Sequence, residues 1–201
     1  MKRVYYLIIA VLISSAASGQ TVQEYFDQGN LKYANKDFIG AIGLFTKAVE
    51  IDSLNKDAYY GRAVSKLALD NYRGAIADFT KTIEIDSTDA DNYYGRGSAK
   101  FSLEDYLGAI KDFTEAIKCD PKYAEYYAFR GYAKSSLLNY TGAIEDYDKA
   151  IELDSGEGKA YFDRGMAKIK LGLRDKGCTD LKQAHKLGYE KAEEEMKKNC
   201  P

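Results

Sequence analysis

The sequence predicts an all-α chain: an α-solenoid of five helix-turn-helix units closed by a C-terminal capping helix. Three observations carry this. The tripeptide Gly-Ala-Ile begins at Gly40, Gly74, Gly108 and Gly142, a spacing of 34 each time. Self-similarity at a fixed period of this size marks stacked supersecondary units. Only two prolines occur in 201 residues, so long stretches are free of the main helix breaker. Asp37, Asn71, Asp105 and Asn139 stand just before the second helix of four units. A short polar side chain there accepts a hydrogen bond from an otherwise unpaired helix N–H.

Residues 1–19 read as a secretory signal peptide. Lys2 and Arg3 precede an apolar run, Val4 to Ile13, and then small residues from Ser14 to Gly19, which is the layout of an export signal. The apolar run is too short to span a bilayer, which takes about 20 residues. Cleavage is expected near Gly19, with a cut after Ala17 as the alternative. No cysteine lies nearby to carry a lipid anchor, and no later segment is long and apolar enough to cross a membrane. The mature protein is therefore expected in the periplasm or outside the cell.

Residues 20–191 hold the repeats, as units 22–55, 56–89, 90–123, 124–157 and 158–191. In the second unit the spacing predicts helices over 57–69 and 72–85. Ala75, Phe79, Thr82 and Ile83 share one face of the latter, at helical period. The small residues Ala41, Ala75, Ala109 and Ala143 allow paired helices to approach closely. The fifth unit is degraded, with Leu173 at the cap slot, Arg174 for the aromatic and Gly177 for alanine. Terminal repeats of a solenoid are atypical because one side faces water. Gly188 suits a helix C-terminus. The segment from Tyr189 to Lys198 places its glutamates early and Lys197 and Lys198 late, complementing the helix dipole. It reads as the closing helix, whose remainder and tail are residues 192–201.

The 34-residue period and the residues Tyr93, Gly97, Tyr106, Ala109, Phe113, Ala116 and Pro121 of the third unit resemble the tetratricopeptide repeat. The likeness covers residues 22–191. Departures are the closing proline, present only as Pro121, and tyrosine where tryptophan often stands, at Tyr25, Tyr59, Tyr93, Tyr127 and Tyr161. With the export signal, the resemblance is to a secreted or periplasmic bacterial member. It implies a right-handed α-solenoid whose first helices line a concave groove for extended peptides. Mapped by register, the groove rows hold Phe26, Tyr60, Tyr94 and Phe162, then Tyr132, then Phe101. A flanking row holds Gln23, Asp57, Asp91, Glu125 and Lys159. The groove is expected to be aromatic with an acidic edge, taking a neutral to basic protein or peptide. The lysine and asparagine clamp that some relatives use for C-terminal carboxylates is missing from these slots. A carbohydrate- or cell-wall-binding solenoid, stacking tyrosines on sugar rings, is the alternative.

Composition and motifs point away from an enzyme. The net charge of −2 lacks the basic excess of a nucleic-acid binder. There is one histidine and no metal-ligand spacing, phosphate loop or nucleophile with a base; neither metal nor cofactor is expected. His185 is expected as a partly buried structural residue. Arg62, Arg96, Arg130 and Arg164 are each followed, sixteen residues on, by Asp78, Asp112, Asp146 and Asp180, whereas the first unit has Gln28 and Leu44. Joint presence and joint absence predict a structural salt-bridge ladder. Cys119 reads as a small buried hydrophobe. Cys178 lies ten residues before Gly188 and Cys200 twelve after it. If the last helices fold back at Gly188, the two sulfurs meet at one level, predicting a Cys178–Cys200 disulfide in an oxidising compartment.

Overall fold

The structure, a computed structural model, describes residues 20–201; the expected signal peptide lies outside them. Eleven α-helices and no strand occur among the described residues. They are α1 Val22–Ala34, α2 Phe38–Ile51, α3 Lys56–Leu67, α4 Tyr72–Ile85, α5 Ala90–Ser102, α6 Tyr106–Cys119, α7 Ala124–Ser136, α8 Tyr140–Leu153, α9 Gly158–Lys170, α10 Arg174–Lys186 and α11 Lys191–Asn199. Odd-numbered helices from α1 to α9 open a repeat and even-numbered ones close it. Two compact units result, one ending at Asp70 and the other running Asn71–Pro201. In the first, α1 packs on α2 and α2 on α3; in the second, each helix from α4 to α11 packs on the next.

The expected caps form. Asp37, Asn71, Asp105 and Asn139 each accept a hydrogen bond from the backbone N–H of the glycine three residues on. Leu173 has no such side chain, and α10 starts without a side-chain cap. The turn inside each hairpin places one residue in the left-handed region: Lys36, Asp70, Glu104, Leu138 and Gly172, with φ from 56° to 79°. Only the last is glycine. A branched side chain at Leu138 is the least comfortable of the five there.

Packing rests on one aromatic ring in each of the first four closing helices and on Leu181 in the fifth. Phe45, Phe79, Phe113 and Tyr147 are all buried. Gly61 and Gly95 let the neighbouring helix lie directly on such a ring. A Cβ there would come within 2.6 Å of Phe45 and 2.4 Å of Phe79, which no close-packed interior tolerates. Ala41, Ala48 and Ala58 complete the first unit's core. In the second unit, Ala109 and Ala133 surround Phe113, and Ala143 and Ala167 surround Tyr147.

Gly188 ends the last hairpin with φ +86°, and α11 returns along α10. Cys178 of α10 and Cys200 are joined as a disulfide, with their Cα atoms 5.7 Å apart. Two expectations are corrected. Cys119 is exposed, because as the final residue of α6 it lies where the chain leaves the packed layer. His185 is exposed as well. Its slot is occupied by the buried Val49 in the first repeat, whereas α11, packed on α10, leaves it uncovered.

Candidate functional site

Arginines and aspartates of the expected ladder come together on the helix-pair faces of the second unit. Arg96 donates from Nε and Nη2 to the two carboxylate oxygens of Asp112, at 3.0 and 2.7 Å. Arg130 treats Asp146 the same way, and Arg164 does so with Asp180. The third guanidinium nitrogen reaches back sixteen residues, to Thr80, Thr114 and Asp148 respectively. Lys100, Lys134 and Lys168 add a second cation to each carboxylate at 2.7–2.8 Å. Each guanidinium also lies over a tyrosine three residues earlier, Tyr93, Tyr127 and Tyr161. The aspartates are 3–5% exposed, so their charge is met by protein cations in place of water, as a structural cluster.

In the first unit, Arg62 donates to Thr46 and lies over Tyr59. Asp78, in the other unit, is buried. The first repeat has Leu44 where later repeats have the aspartate, and Lys32 turns to Asp37 instead, at 2.8 Å. That contact and the backbone N–H of Gly40 hold the Asp37 carboxyl below its ordinary range.

The expected groove residues divide by exposure. In the first unit Asp57 and Tyr60 are exposed, and Phe26 is half-buried against Phe45. In the second unit Tyr94 turns inward, its ring within 6 Å of those of Phe113, Tyr126 and Phe129. Its hydroxyl donates to Glu125 at 2.8 Å, and the hydroxyl of Tyr126 donates to Asp91 at 2.9 Å. Helices α5 and α7 thus exchange reciprocal tyrosine–carboxylate bonds. Burial, and then these carboxylates, push both phenols well above the usual tyrosine range. Asp91 and Glu125 remain exposed on their other side.

The exposed Tyr132 stacks on the half-buried Phe101, centroids 5.1 Å apart. They form the floor of a concave pocket of about 810 Å³, walled by residues of α5, α7, α8 and α9 and the turns beside them. Glu125, Glu157 and Asp163 line it beside Lys122 and Lys159. The Lys159 ammonium lies 4.8 Å from the Tyr132 ring centre and 2.7 Å from Asp163. Burial raises the Asp163 carboxyl above its ordinary range despite this cation. Burial also opposes the charge on Lys159, but the Asp163 carboxylate outweighs it and raises the ammonium. Phe162 sits apart from this floor, packed on Tyr189 at 4.9 Å.

Register reasoning singled out Phe101, Tyr132 and Glu125 but passed over Asp163. The signal was partial: Asp163 occupies the slot of Gly61, Gly95 and Phe129, and of Asp27 in the first repeat. What sets the fifth repeat apart is the lysine one turn earlier, where the first has Gln23. No group of metal-ligating side chains occurs among the described residues. No described helix is long and apolar enough to cross a membrane.

The sequence pattern described as "Tetratricopeptide repeat" matches residues 26–90 and 94–158. A crystal structure of MamA protein is 31% identical, with 88% of this chain and 96% of that one covered and a TM-score of 0.81. MamA 41-end from Desulfovibrio magneticus RS-1 is 17% identical at a TM-score of 0.81, covering 87% of this chain and 98% of that one. YrrB, titled as a TPR protein with an unusual peptide-binding site, is 22% identical at a TM-score of 0.73, covering 82% and 85%. No curated protein sequence matches the chain. The chain belongs to the tetratricopeptide-repeat family.

Proposed function

We propose that this tetratricopeptide-repeat chain is a non-enzymatic protein-interaction module, exported after cleavage near Gly19, that holds an extended neutral to basic segment of a partner. The observation that carries this is the open pocket floored by Phe101 and Tyr132 and edged by Glu125 and Asp163. Aromatic rings exposed in a concavity offer large contact area at low conformational cost. Carboxylates beside them, Glu125 exposed and Asp163 largely buried, favour approach of positive charge. The whole repeat region from 20 to 191 serves as the scaffold that fixes these helices. Asp57 and Tyr60 in the first unit, and Asp91 in the second, extend the same chemistry along their own helices.

The test is capture by crosslinking from the native envelope, followed by affinity measurement on the captured protein at low and high salt. Phe101→Ala/Tyr132→Ala is the informative double variant. Tyr94 is a poor choice because its ring packs on Phe113, Tyr126 and Phe129 and its hydroxyl is bonded to Glu125. Phe101 also touches the core, so the single variant Tyr132→Ala, at the exposed ring, is measured beside the double one. The double variant is expected to weaken binding by about tenfold or more, as loss of central aromatic anchors does. High salt is expected to weaken it further. Affinity indifferent to both changes would remove the pocket from consideration.

A further inference from the structure

We infer that the pocket between α7 and α9 is a receptor for one arginine side chain of the partner, with Tyr132 and Asp163 setting that specificity and Lys159 acting as a built-in cation that the partner's guanidinium displaces. This rests on the reading of the aromatic face as a binding surface.

The pocket already holds the interaction in miniature. Lys159 places its ammonium over the ring of Tyr132 and against the carboxylate of Asp163. Both are the contacts a foreign cation would seek. The lysine is an imperfect occupant. Its side chain is 50% exposed while that of Asp163 is 12% exposed. Released from the carboxylate, the ammonium can swing into water on its four-carbon stem at little cost. The carboxylate cannot follow. It accepts this single hydrogen bond among its described contacts, whereas Asp112, Asp146 and Asp180 each accept three charged donors.

Register sharpens the point. Lys159 stands in the row of Asp57, Asp91 and Glu125, so here the acidic edge is interrupted by a cation. One turn later Asp163 stands where the second and third repeats have glycine; the first repeat has Asp27 there, but bonded to the neutral Gln23. The lysine–carboxylate pairing therefore belongs to the fifth repeat, and it lines the pocket. A planar guanidinium suits the vacated space better than an ammonium. It can stack on Tyr132 while presenting two N–H groups to the Asp163 carboxylate. Glu125 and Glu157, on the pocket lining, keep its surroundings negative.

The experiment uses two capped pentapeptides, acetyl-Ser-Gly-Arg-Gly-Ser-amide and the same peptide with citrulline, which keeps the shape and removes the charge. Each is titrated at low ionic strength into the isotopically labelled protein, and backbone and tyrosine-ring NMR signals are followed. The arginine peptide is expected to shift signals of α7 and α9 and to bind about tenfold tighter than the citrulline peptide, the value of one charge-assisted contact. Lys159→Met should tighten arginine binding, because the internal competitor is gone, and Asp163→Asn should weaken it to the citrulline level. Equal affinity of the two peptides with shifts on α7 and α9 would overturn the inference and leave the binding surface standing. No shift on α5, α7 or α9 from either peptide would overturn both. Weaker arginine binding by a folded Lys159→Met variant would show the pair to be a helix staple, and would also overturn it.

Discussion

The ladder and the pocket are built from the same three groups: a cation, a carboxylate and a tyrosine ring. On the ladder, Arg130 lies over Tyr127 and grips Asp146, and Lys134 closes the carboxylate from the other side. In the pocket, Lys159 lies over Tyr132 and meets Asp163 alone. The ladder recurs every 34 residues and is sealed between paired helices. The pocket arrangement puts its lysine in the row of the acidic edge and opens on a cavity. Identical chemistry therefore serves two ends. Where the carboxylate is gripped by a forked guanidinium and a second cation, the cluster fixes a helix pair. Where one carboxylate is under-coordinated and its cation is half in water, the cluster is free to exchange partners.

The largest expected effect separates the two directly. Asp146→Asn leaves Arg130 and Lys134, whose side chains are 18% and 19% exposed, without their shared counter-charge. Leaving buried charge unpaired costs about 3–5 kcal/mol. Asp163→Asn leaves only the half-exposed Lys159, and its cost should fall within about 1 kcal/mol, as for pairs with one solvated member. Urea denaturation of the two variants side by side decides this. Similar losses at both sites would collapse the distinction between sealed and open clusters.

The disulfide gives the next largest effect and probes the end of the ladder. Cys178 lies two residues before Asp180, the last rung, on a helix whose buried face includes Leu181 and Ala184. Cys200 follows α11, and the bond spans 22 residues. Closing a loop of that size restricts the unfolded chain by about 3 kcal/mol in the entropic treatment. Cys178→Ser/Cys200→Ser should lose about that much stability, with faster amide exchange concentrated in α10 and α11. Uniform loosening from α4 onward would mean that the last rung and the cap do not open as a local unit. Mass spectrometry of unreduced peptides from the native compartment establishes whether the bond is present there.

Sequence alone reached most of the repeat architecture because its determinants are local or periodic. Asn71 and Asp105 announce helix starts by their own side chains, and Phe79 and Phe113 recur at a fixed interval. The Arg96–Asp112 spacing was legible because both members appear and vanish together between repeats. What escaped was either backbone conformation without its usual residue or the direction of a side chain. Lys36, Asp70, Glu104 and Leu138 adopt positive φ though none is glycine, so no letter marks the bend. Tyr94 and Tyr132 both lie in the expected groove rows, yet one is drawn into the core by Phe113 and Phe129 and the other stays out over Phe101. Asp163 was missed because a repeat is read for what recurs in every unit, and an aspartate fills this slot only in the first repeat, as Asp27, and in the fifth. The exposure of His185 and Cys119 depends on where packed neighbours end, which periodicity does not encode.

The smallest expected effect is one of sign, and it contrasts Asp163 with an ordinary surface carboxylate. Burial raises the folded-state pKa of Asp163 above 3.8, with Lys159 offsetting part of that rise. A carboxyl whose pKa is raised by folding binds protons more tightly in the native state. Its contribution favours the folded state at low pH and is lost as pH rises through the folded value. Asp37 runs the other way: its pKa is lowered by Lys32 and the Gly40 N–H, so its contribution is lost as pH falls. The stability difference between Asp163→Asn and the parent chain should therefore depend on pH in one direction. The asparagine variant should compare best above the folded pKa, where the parent buries a charge. It should lose ground as acid protonates Asp163 in the parent. Stability measured in urea from neutral to mildly acidic pH, as a difference between the two proteins, cancels every group they share. A difference that moves the opposite way would mean that Lys159 more than compensates the burial of Asp163. The pocket carboxylate would then be as firmly satisfied as those of the ladder.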